Sequence, residues 1–510
     1  MPKTAVTGSL LSFALDRQCT QPLHRQLLDQ LRLAIESGRL PGGSKLPSTR
    51  IFADEIGVSR NTVLQVFDAL TAEGFLQGKV GSGSFVVDQA EQPDMQMHQK
   101  AASPWQGHGY PFRSLSRRGR RLVASSTDEF AEKPRPFMPD VPDLREFPIK
   151  TWLRLLSETS GRLTGEILAS TSNAGYEPLR RALAQHLNAS RGMSCTHEQI
   201  VITTGSQQSL DLTCRMLLDP GDPVWMEEPG YIGARSVIRA NGGAVCPVPV
   251  DKDGICVESA SLTHPVPRLI FVSPSRHYPL GMTLSVARRE MLLKFARNCG
   301  SWIVEDDYDH EFRYAGHSPQ AIHGMDRDAR TIHIGTFSKI LLPSFRLGYM
   351  VIPSDLCQAF GKARAIVDRH ASLIEQMVMS ELLLRGLLVS HIRRMRVLYR
   401  TRQNQLIEGL RKMFGADLQL ETTETGTHVI VLLKPGTDDT ALARLGVQVG
   451  LIMRPLSPYY ATRQTRQGLL LGFAAFNPLE IETGLEKLRA ISDSLAPFVV
   501  RNCTTPDKLG

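Results

Sequence analysis

The sequence lacks paired cysteines, long apolar runs and a leader-like N-terminus. Its eight cysteines stand singly, with no C-x-x-C pair and no Cys/His cluster, so their spacing excludes a zinc site and a disulfide framework. We expect most of them to be small buried residues in a reducing compartment. No run approaches about 18 apolar residues, and the opening MPKTAVTGSLLSFALDRQ has no charged segment followed by a long apolar core. We therefore expect a cytoplasmic protein without a membrane-spanning helix, a secretory signal or a metal site.

The composition is that of an ordinary globular protein. The chain has 510 residues, of which 42% are hydrophobic. At about 100–200 residues per domain, it has room for two to four domains, each with a core of its own. The formal net charge of +8 favours a polyanionic partner only slightly, because many proteins are mildly basic.

Residues 12–88 predict a compact domain of helices followed by a hairpin. Apolar residues recur at helical spacing over 23–35. A second helix is expected between Ser48, which can cap it, and Gly57, which breaks the chain. A third helix, RNTVLQVFDALTAEG, is followed by two β-prone stretches separated by GSG. This order predicts a winged helix-turn-helix.

The third helix is the element that would enter the major groove of double-stranded DNA. Its start offers one guanidinium, one amide and two hydroxyls, which suit guanine, adenine and phosphates respectively. An arginine at the start of the preceding helix and two residues of the wing are further candidates. The candidate DNA-binding residues are Arg50, Ser59, Arg60, Asn61, Thr62, Lys79 and Gly81. The alternative is that Ser59 only caps the helix and Arg60 is only a solvated surface residue.

Residues 89–135 differ sharply from this domain. They are polar, rich in Gln, Pro and Gly, and without periodicity, which is typical of a linker. A basic cluster closes the segment, formed by Arg113, Arg117, Arg118, Arg120 and Arg121. The cluster is open to three interpretations: a phosphate contact, a solvated surface or an intramolecular docking role.

From 136 to 500 short apolar strands alternate with amphipathic helices. Examples are QIVITTG followed by SQQSLDLTCRMLL, then PVWMEEPGY, RLIFVSPS, SWIVEDDYD and TIHIGTFSK. This alternation predicts a mostly parallel sheet with helices on both faces. Long helices around 360–414 lead to a smaller C-terminal α/β segment with strands near HVIVLL and LLLGFAAF. The fold class is therefore α/β, with a winged-helix domain at the N-terminus.

Polar side chains follow several of these strands. GTFSK ends at Lys339, and PSFRLGY carries Arg346. SWIVEDDYD places Asp306 and Tyr308 at the carboxyl end of a strand, where the ligand sites of open α/β sheets lie. EEPGY adds an aromatic ring, Tyr231.

A strand-to-helix turn completes the set. TTGSQQSL places Gly205, Ser206 and Gln207 where free N–H groups and the helix dipole favour an anion. Together these groups meet the requirements of pyridoxal phosphate (PLP). That cofactor needs a lysine for a Schiff base, an acid facing the ring nitrogen, a cup for the phosphate and an aromatic ring that stacks on the pyridine.

Two resemblances follow from these motifs. The string LPSTRIFADEIGVSRNTVLQVFDALTAEGFLQGKVGSGSFV resembles the GntR family of bacterial winged-helix regulators almost throughout. Residues 136–500 look like a fold-type-I aminotransferase domain. The motifs EDDYDHEFRY, GTFSK and PSFRLGY, following a GntR-like N-terminal domain, are typical of the MocR/GabR-type regulators.

The resemblance implies a role for each candidate. Lys339 would form the Schiff base, Asp306 would pair with the ring nitrogen, and Tyr308 would contact the phenolic oxygen. Tyr231 would be the stacking ring. The phosphate would lie at the turn that begins with Gly205, held by Ser206, Gln207, Thr336, Ser338 and Arg346.

The chain departs from the aminotransferase pattern in several places. Leu470 stands where an arginine for the substrate carboxylate is expected, and Ser170 stands where an intersubunit tyrosine is expected. Aminotransferases usually carry an Asn-Pro-x-Gly turn whose asparagine contacts the phenolic oxygen of the cofactor. In this chain Tyr278 stands before the proline instead. Three other arginines are candidates for the carboxylate: Arg454, Arg463 and Arg466.

Two functions are compatible with these features. The first is a DNA-binding transcription regulator that senses PLP or an amine or amino-acid effector. It would show at most weak, partial aminotransferase reactions. The second is a working PLP-dependent aminotransferase with an accessory DNA-binding domain. The intact recognition helix favours the first, and Leu470 disfavours the second. The resemblance also implies a homodimer, which would pair two recognition helices on an operator with repeated half-sites.

Overall fold

The computed structural model describes residues 15–16, 22–36, 39–79, 83–87, 115–124, 133–169, 172–316, 318–415, 418–421, 424–462 and 464–492. The chain divides into two compact units, Met1–Ser114 and Leu115–Gly510.

The N-terminal unit is a winged helix-turn-helix, which confirms the prediction. Its elements are α1 (Leu23–Glu36), α2 (Thr49–Ile56), α3 (Arg60–Ala72), β1 (Leu76–Lys79) and β2 (Gly83–Val86), and the two strands pair antiparallel. Ser48 caps α2 by accepting a hydrogen bond from the N–H of Ile51 at 3.4 Å. Gly57 ends that helix with a φ of +68°, a conformation that glycine adopts without strain. The rings of Phe52 and Phe67, 5.8 Å apart, join α2 to α3 in the core.

The C-terminal unit is built on an eight-stranded sheet. Its strands are β3 (Ile200–Thr203), β4 (Pro223–Glu228), β5 (Ala244–Asp251), β6 (Gly254–Ile255), β7 (Leu269–Val272), β8 (Trp302–Asp306), β9 (Thr331–Thr336) and β10 (Gly348–Val351). Their spatial order is β3-β10-β9-β8-β7-β4-β5-β6. Strands β4, β5, β7, β8 and β9 run parallel, while β10 is antiparallel to both of its neighbours and β6 to β5. The mostly parallel sheet is as predicted.

Helices cover both faces of this sheet. They are α5 (Ile149–Ser160), α6 (Gly165–Ala169), α7 (Glu177–Arg191), α8 (Ser206–Leu217), α9 (Ile232–Ala240), α10 (Val257–Thr263), α11 (Val286–Cys299), α12 (Ile322–Met325), α13 (Cys357–Val367) and α14 (Leu373–Leu384). Alternate residues of one strand point to opposite faces. Accordingly Ile200 and Ile202 pack with α7 and α14, whereas Val201 packs with α8 and α9.

A smaller sheet follows, also as predicted. It contains β11 (Leu420–Glu421), β12 (His428–Leu432), β13 (Arg454–Pro455) and β14 (Gly468–Gly472), in the order β11-β12-β14-β13 and antiparallel throughout. Its helices are α15 (Leu387–Phe414), α16 (Asp439–Gln448) and α17 (Pro478–Ser492). Phe137 forms a β-bridge to Gly472, which brings the segment 136–141 onto this sheet.

One helix lies inside the segment 89–135 that the sequence predicts to be a linker. This helix, α4 (Arg117–Ala124), packs on α9. Apolar periodicity does not predict this helix, because its arginine-rich sequence forms no apolar stripe. Its first turn is held by Ser116, whose Oγ accepts from the N–H of Gly119 at 2.9 Å. The helix itself therefore docks on α9, while the side chains of Arg118 and Arg120 remain exposed.

The cysteines and the helices each bear on an expectation from the sequence. Among the described cysteines only Cys195 and Cys214 are fully buried, and Cys299 is exposed, so the expectation of mostly buried cysteines is wrong. Within the described ranges, none of the helices combines the length and the apolar character that a membrane crossing requires.

Candidate functional site

One cavity gathers every residue that the sequence predicted for the cofactor. It has a volume of about 550 Å³ and lies beyond the carboxyl ends of β3, β8 and β9. The predicted residues that line it are Gly205, Ser206, Gln207, Tyr231, Asp306, Tyr308, Thr336, Ser338, Lys339 and Arg346. They come from motifs far apart in the chain, and the parallel strands bring them together at one sheet edge.

Lys339 follows β9 and reaches into the cavity. Its Nζ donates a hydrogen bond to the main-chain oxygen of Asp140 at 3.1 Å and lies 3.8 Å from Oδ1 of the same residue. About a quarter of the lysine side chain is exposed. The amine is therefore reachable by a ligand in the cavity.

Asp306 ends β8 and is buried. Within the described part of the chain its Oδ1 has no hydrogen-bond partner. Burial raises the pKa of this carboxyl to about 7, and the neighbouring Asp307 and Asp309 add to the rise while Lys339 opposes it. A buried acid without a partner is costly to keep charged, and a cation placed beside it would relieve that cost.

An anion cup lies on another side of the cavity. Gly205 has a φ of +127°, which suits glycine, and precedes the N-terminus of α8, where N–H groups lack helical partners. A Cβ at Gly205 would lie 3.6 Å from Nη2 of Arg346, so the guanidinium lies next to this turn. Oγ1 of Thr336 accepts a hydrogen bond from the N–H of Ser338 at 3.2 Å. The cup thus combines a helix N-terminus, hydroxyls and a cation.

Three tyrosines form the aromatic part of the cavity. The hydroxyl of Tyr231 donates to Oε1 of Gln207 at 3.4 Å. The hydroxyl of Tyr308 accepts from Nη1 of Arg276 at 3.1 Å, and burial raises the pKa of this phenol well above its ordinary value. The ring of Tyr278 stands edge-on, 5.6 Å from Tyr231 and 5.7 Å from Tyr308.

These features fit PLP. The cavity offers a lysine, an anion cup, aromatic rings and a buried carboxyl, Asp306, whose Oδ1 lacks a donor that a protonated ring nitrogen would supply. The residues present therefore match the group that the motifs implied. Among the residues that the structure describes, no group of three or more His, Cys, Asp or Glu is arranged to hold a metal ion.

Asp140 also lines the cavity, although no site role was predicted for it from the sequence. It lies in the segment before α5 and adopts a φ of +67°. Its Oδ2 accepts from Nη1 of Arg454 at 2.8 Å and from the hydroxyl of Tyr278 at 2.5 Å. Burial opposes ionisation, but Lys339 and Arg454 outweigh it and hold the pKa of Asp140 below its ordinary value. No sequence motif marks this residue.

Of the arginines considered for a ligand carboxylate, Arg454 is the described one that lines the cavity. It pairs with Leu470 across β13 and β14, so it lies one strand from the place expected for that arginine. Leu470 is buried among apolar and tyrosine side chains. Arg466 instead pairs with Glu421 at 2.7 Å, and neither of these two lines the cavity. Arg463 and Ser170 lie outside the described residues.

The start of α3 presents the predicted DNA-reading residues. Ser59 caps the helix, since its Oγ accepts from the N–H of Thr62 at 3.1 Å and lies 2.8 Å from the hydroxyl of Thr62. The side chains of Arg60 and Asn61 are exposed and make no hydrogen bond or ion pair with other described residues. Arg50, in the first turn of α2, is likewise exposed. Three exposed polar side chains are thus available to an external partner.

The wing is described in part. Lys79 ends β1, where its backbone pairs with Gly83, and its side chain lies beyond what the structure describes. Gly81 lies outside the described residues.

Comparisons with known proteins agree with this architecture. The chain matches the gntR family of bacterial regulatory proteins over residues 23–86 and the aminotransferase class I and II family over residues 142–488. It is 37% identical over 476 residues to the probable rhizopine catabolism regulatory protein MocR of Rhizobium meliloti, covering 93% of this chain and 95% of that protein. It is 28% identical over 470 residues to the HTH-type pyridoxine biosynthesis transcriptional regulator PdxR of Corynebacterium glutamicum, covering 91% and 95%.

Solved structures are similar to the C-terminal unit. The kynurenine aminotransferase of Pyrococcus horikoshii matches with a TM-score of 0.66 and 27% identity, covering 75% of this chain and 95% of that one. The α-aminoadipate aminotransferase LysN of Thermus thermophilus, solved with N-(5'-phosphopyridoxyl)-L-leucine, matches with a TM-score of 0.65 and 26% identity over the same shares.

The fold and these matches define a DNA-binding transcriptional regulator with an aminotransferase-like domain. The chain belongs to the MocR-type regulators of the GntR family.

Proposed function

We propose that this regulator binds PLP covalently through Lys339 and that PLP or an amine or amino-acid effector in the same cavity controls its binding to operator DNA. The convergence of all the predicted cofactor residues on one cavity carries the proposal. When bound, PLP supplies a carbonyl that reacts with amines and a ring that withdraws electrons. Effector binding shifts DNA affinity only if the effector prefers one of the protein's states.

Each side chain has a task in this proposal. Asp306 would keep the ring nitrogen protonated, and Tyr231 would be the stacking ring. Tyr308, fixed by the guanidinium of Arg276, donates to the phenolic oxygen. The cup around the N-terminus of α8 would hold the phosphate through Ser206, Gln207, Thr336, Ser338 and Arg346.

On DNA, Arg60 and Asn61 read bases in the major groove, Ser59 and Thr62 position α3, and Arg50 contacts phosphate. Lys79 and Gly81 contribute through the wing. A homodimer presents two copies of α3 to an operator with repeated half-sites. Because its target is operator DNA, we assign the protein to the cytoplasm.

The second candidate, a working aminotransferase with an accessory DNA-binding domain, is less well supported. The cofactor residues are compatible with it. However, Leu470 cannot clamp a substrate carboxylate, and Arg454 already holds the carboxylate of Asp140 at 2.8 Å. The relatives' names refer to different processes, so we propose an effector class and not an identity.

The test is a footprint of the full-length protein on the DNA upstream of its own gene, with and without PLP. Protection of repeated half-sites that changes when PLP or an amine is added is the expected result. No protection under any of these conditions, from protein that carries PLP, would contradict the proposal.

A further inference from the structure

Asp140 places its carboxylate on Arg454, the arginine that lies one strand from the position expected for an arginine that binds a ligand carboxylate. The left-handed backbone of Asp140, with a φ of +67°, is uncommon for a residue other than glycine, although aspartate tolerates it better than most. The side chain is directed into the cavity, where Oδ2 accepts from Arg454 and Tyr278.

The ion pair with Asp140 occupies Arg454, which would otherwise be available to bind a ligand carboxylate. Arg454 faces Leu470 across the sheet, so it is the described cavity-lining arginine nearest to the expected carboxylate position. A second carboxylate in this place would have to displace Asp140 from Arg454 and would then lie beside a buried negative charge. Both effects disfavour ligands that carry an acid.

The other oxygen of Asp140 is available for a different kind of ligand. Within the described residues, its buried Oδ1 has no hydrogen-bond partner. Lys339 and His428 both lie 3.8 Å from it. Burial and the adjacent Arg276 lower the pKa of His428 to about 3, so this imidazole carries no charge at neutral pH. Under the proposed function Lys339 holds the cofactor, which leaves Oδ1 in need of a donor.

We propose that Asp140 selects the effector, which is a primary amine without a carboxylate whose second polar group, a hydroxyl or an ammonium, donates a hydrogen bond to Oδ1. This inference rests on the proposed function, because it names the ligand class of the same cavity. Asp140 is thus a specificity-determining residue, and its contact with Arg454 makes the site reject amines that carry a carboxylate.

The experiment uses full-length, PLP-loaded protein and three probes of equal chain length. They are 3-aminopropan-1-ol, 1,3-diaminopropane and 3-aminopropanoate, which end in a hydroxyl, an ammonium and a carboxylate. Calorimetry gives the Kd of each, and operator affinity is measured alongside. The alcohol or the diamine, or both, should bind at least about tenfold more tightly than the acid, the factor expected for one hydrogen bond to a charged group. Whichever of the two binds identifies the donor.

Two variants test the role of Asp140. Asp140→Asn keeps the shape of the side chain and removes its charge. It should reduce the preference for the alcohol or the diamine over the acid by about tenfold. Asp140→Gly adopts the positive φ without strain and releases Arg454, so it should bind the acid about tenfold more tightly than the wild type does. Glu421→Gln is the matched control, because it removes a carboxylate from an arginine pair at 2.7 Å that does not line the cavity. Its preference should stay unchanged.

The outcomes separate this inference from the proposed function. Equal binding of acid, alcohol and diamine by the wild type overturns the inference. So does an unchanged preference in both Asp140 variants, or binding of none of the probes while PLP alone alters operator affinity. Loss of the cofactor or of operator binding from the wild type would instead contradict the proposed function.

Discussion

Asp306 and Asp307 are neighbours at the end of β8, but their carboxylates lie in opposite electrostatic surroundings. Asp307 forms a buried ion pair with Arg191, with 2.8 Å between Oδ2 and Nε, and its pKa lies well below the ordinary value because Arg191 and His310 outweigh burial. Asp306 lines the cavity, and its pKa is raised to about 7 by burial and by its acidic neighbours. One of these acids stabilises the fold, and the other is adapted to a ligand.

Asp306→Asn should stabilise the cofactor-free protein and weaken PLP binding. The pKa of Asp306 is higher in the folded state than in the unfolded state. The folded protein is therefore destabilised by this carboxyl as the pH rises from about 4 to about 7. At about pH 8 the variant should therefore gain up to about 4 kcal/mol in the free energy of unfolding, because the pKa of Asp306 rises by about three on folding and each pKa unit is worth about 1.4 kcal/mol. The gain should shrink toward about pH 4, where both states bind the proton. Urea unfolding at both pH values, with PLP titration, measures these effects.

The adjacent position supplies the control for this substitution. Asp307→Asn leaves Arg191 buried without its counter-ion and should lose about 3–5 kcal/mol at neutral pH. Equal destabilisation by both substitutions would mean that the two acids do not differ in role.

Lys339→Ala should abolish covalent cofactor binding. Protein purified with PLP should show an absorption band near the visible edge, which is lost in the variant because no other described lysine lines the cavity. Lys362→Ala, which removes an exposed lysine of α13, should retain the band. A band that persists without Lys339 would show that another lysine carries PLP.

Much of the cofactor cavity was predictable because its residues lie in short motifs at strand ends. Parallel strands bring their carboxyl ends to one edge, so the positions of Lys339, Asp306 and Ser206 follow once the strands are recognised. Asp140 was not predictable, because it lies 199 residues before Lys339, and contacts between distant segments, such as the bridge of Phe137 to Gly472, bring the two together.

The role of Arg454 depended on pairing that the sequence does not reveal. Three arginines were equally plausible partners for a carboxylate, and only the register of β13 against β14 distinguishes Arg454 among the described ones. Strand register depends on contacts between distant segments, which periodicity alone does not specify. Helix α4 was missed for a related reason, since packing on α9 supports it where apolar periodicity is absent.

Arg60→Ala and Arg50→Ala should weaken operator binding in different ways. Arg60→Ala should reduce the free energy of operator binding by about 1–3 kcal/mol and relax the base preference, as expected if its guanidinium makes a bidentate contact with a guanine. Arg50→Ala should weaken binding to all sequences and flatten the salt dependence, as expected for a phosphate contact. Both residues are exposed, so the stability of the winged helix-turn-helix should not change. Operator affinities across a range of salt concentrations provide the measurement.

Arg25→Ala, which removes an exposed arginine from α1, is the control for a general loss of positive charge. If all three variants bind the operator as the wild type does, α3 is not the recognition helix.

The C-terminal domain should sense ligands but hardly turn them over. Fast transamination requires a substrate held in a near-attack geometry, which a carboxylate-binding arginine normally provides. Leu470 is buried among apolar and tyrosine side chains and makes no such contact. Arg454 is paired with Asp140 at 2.8 Å, so an amino acid must break an existing ion pair before it is held. Steady-state transamination over a panel of amino acids and keto acids should therefore stay below about 1 per second, while added ligands still change the cofactor spectrum and the operator affinity. Turnover at or above that rate would show that the domain works as an enzyme.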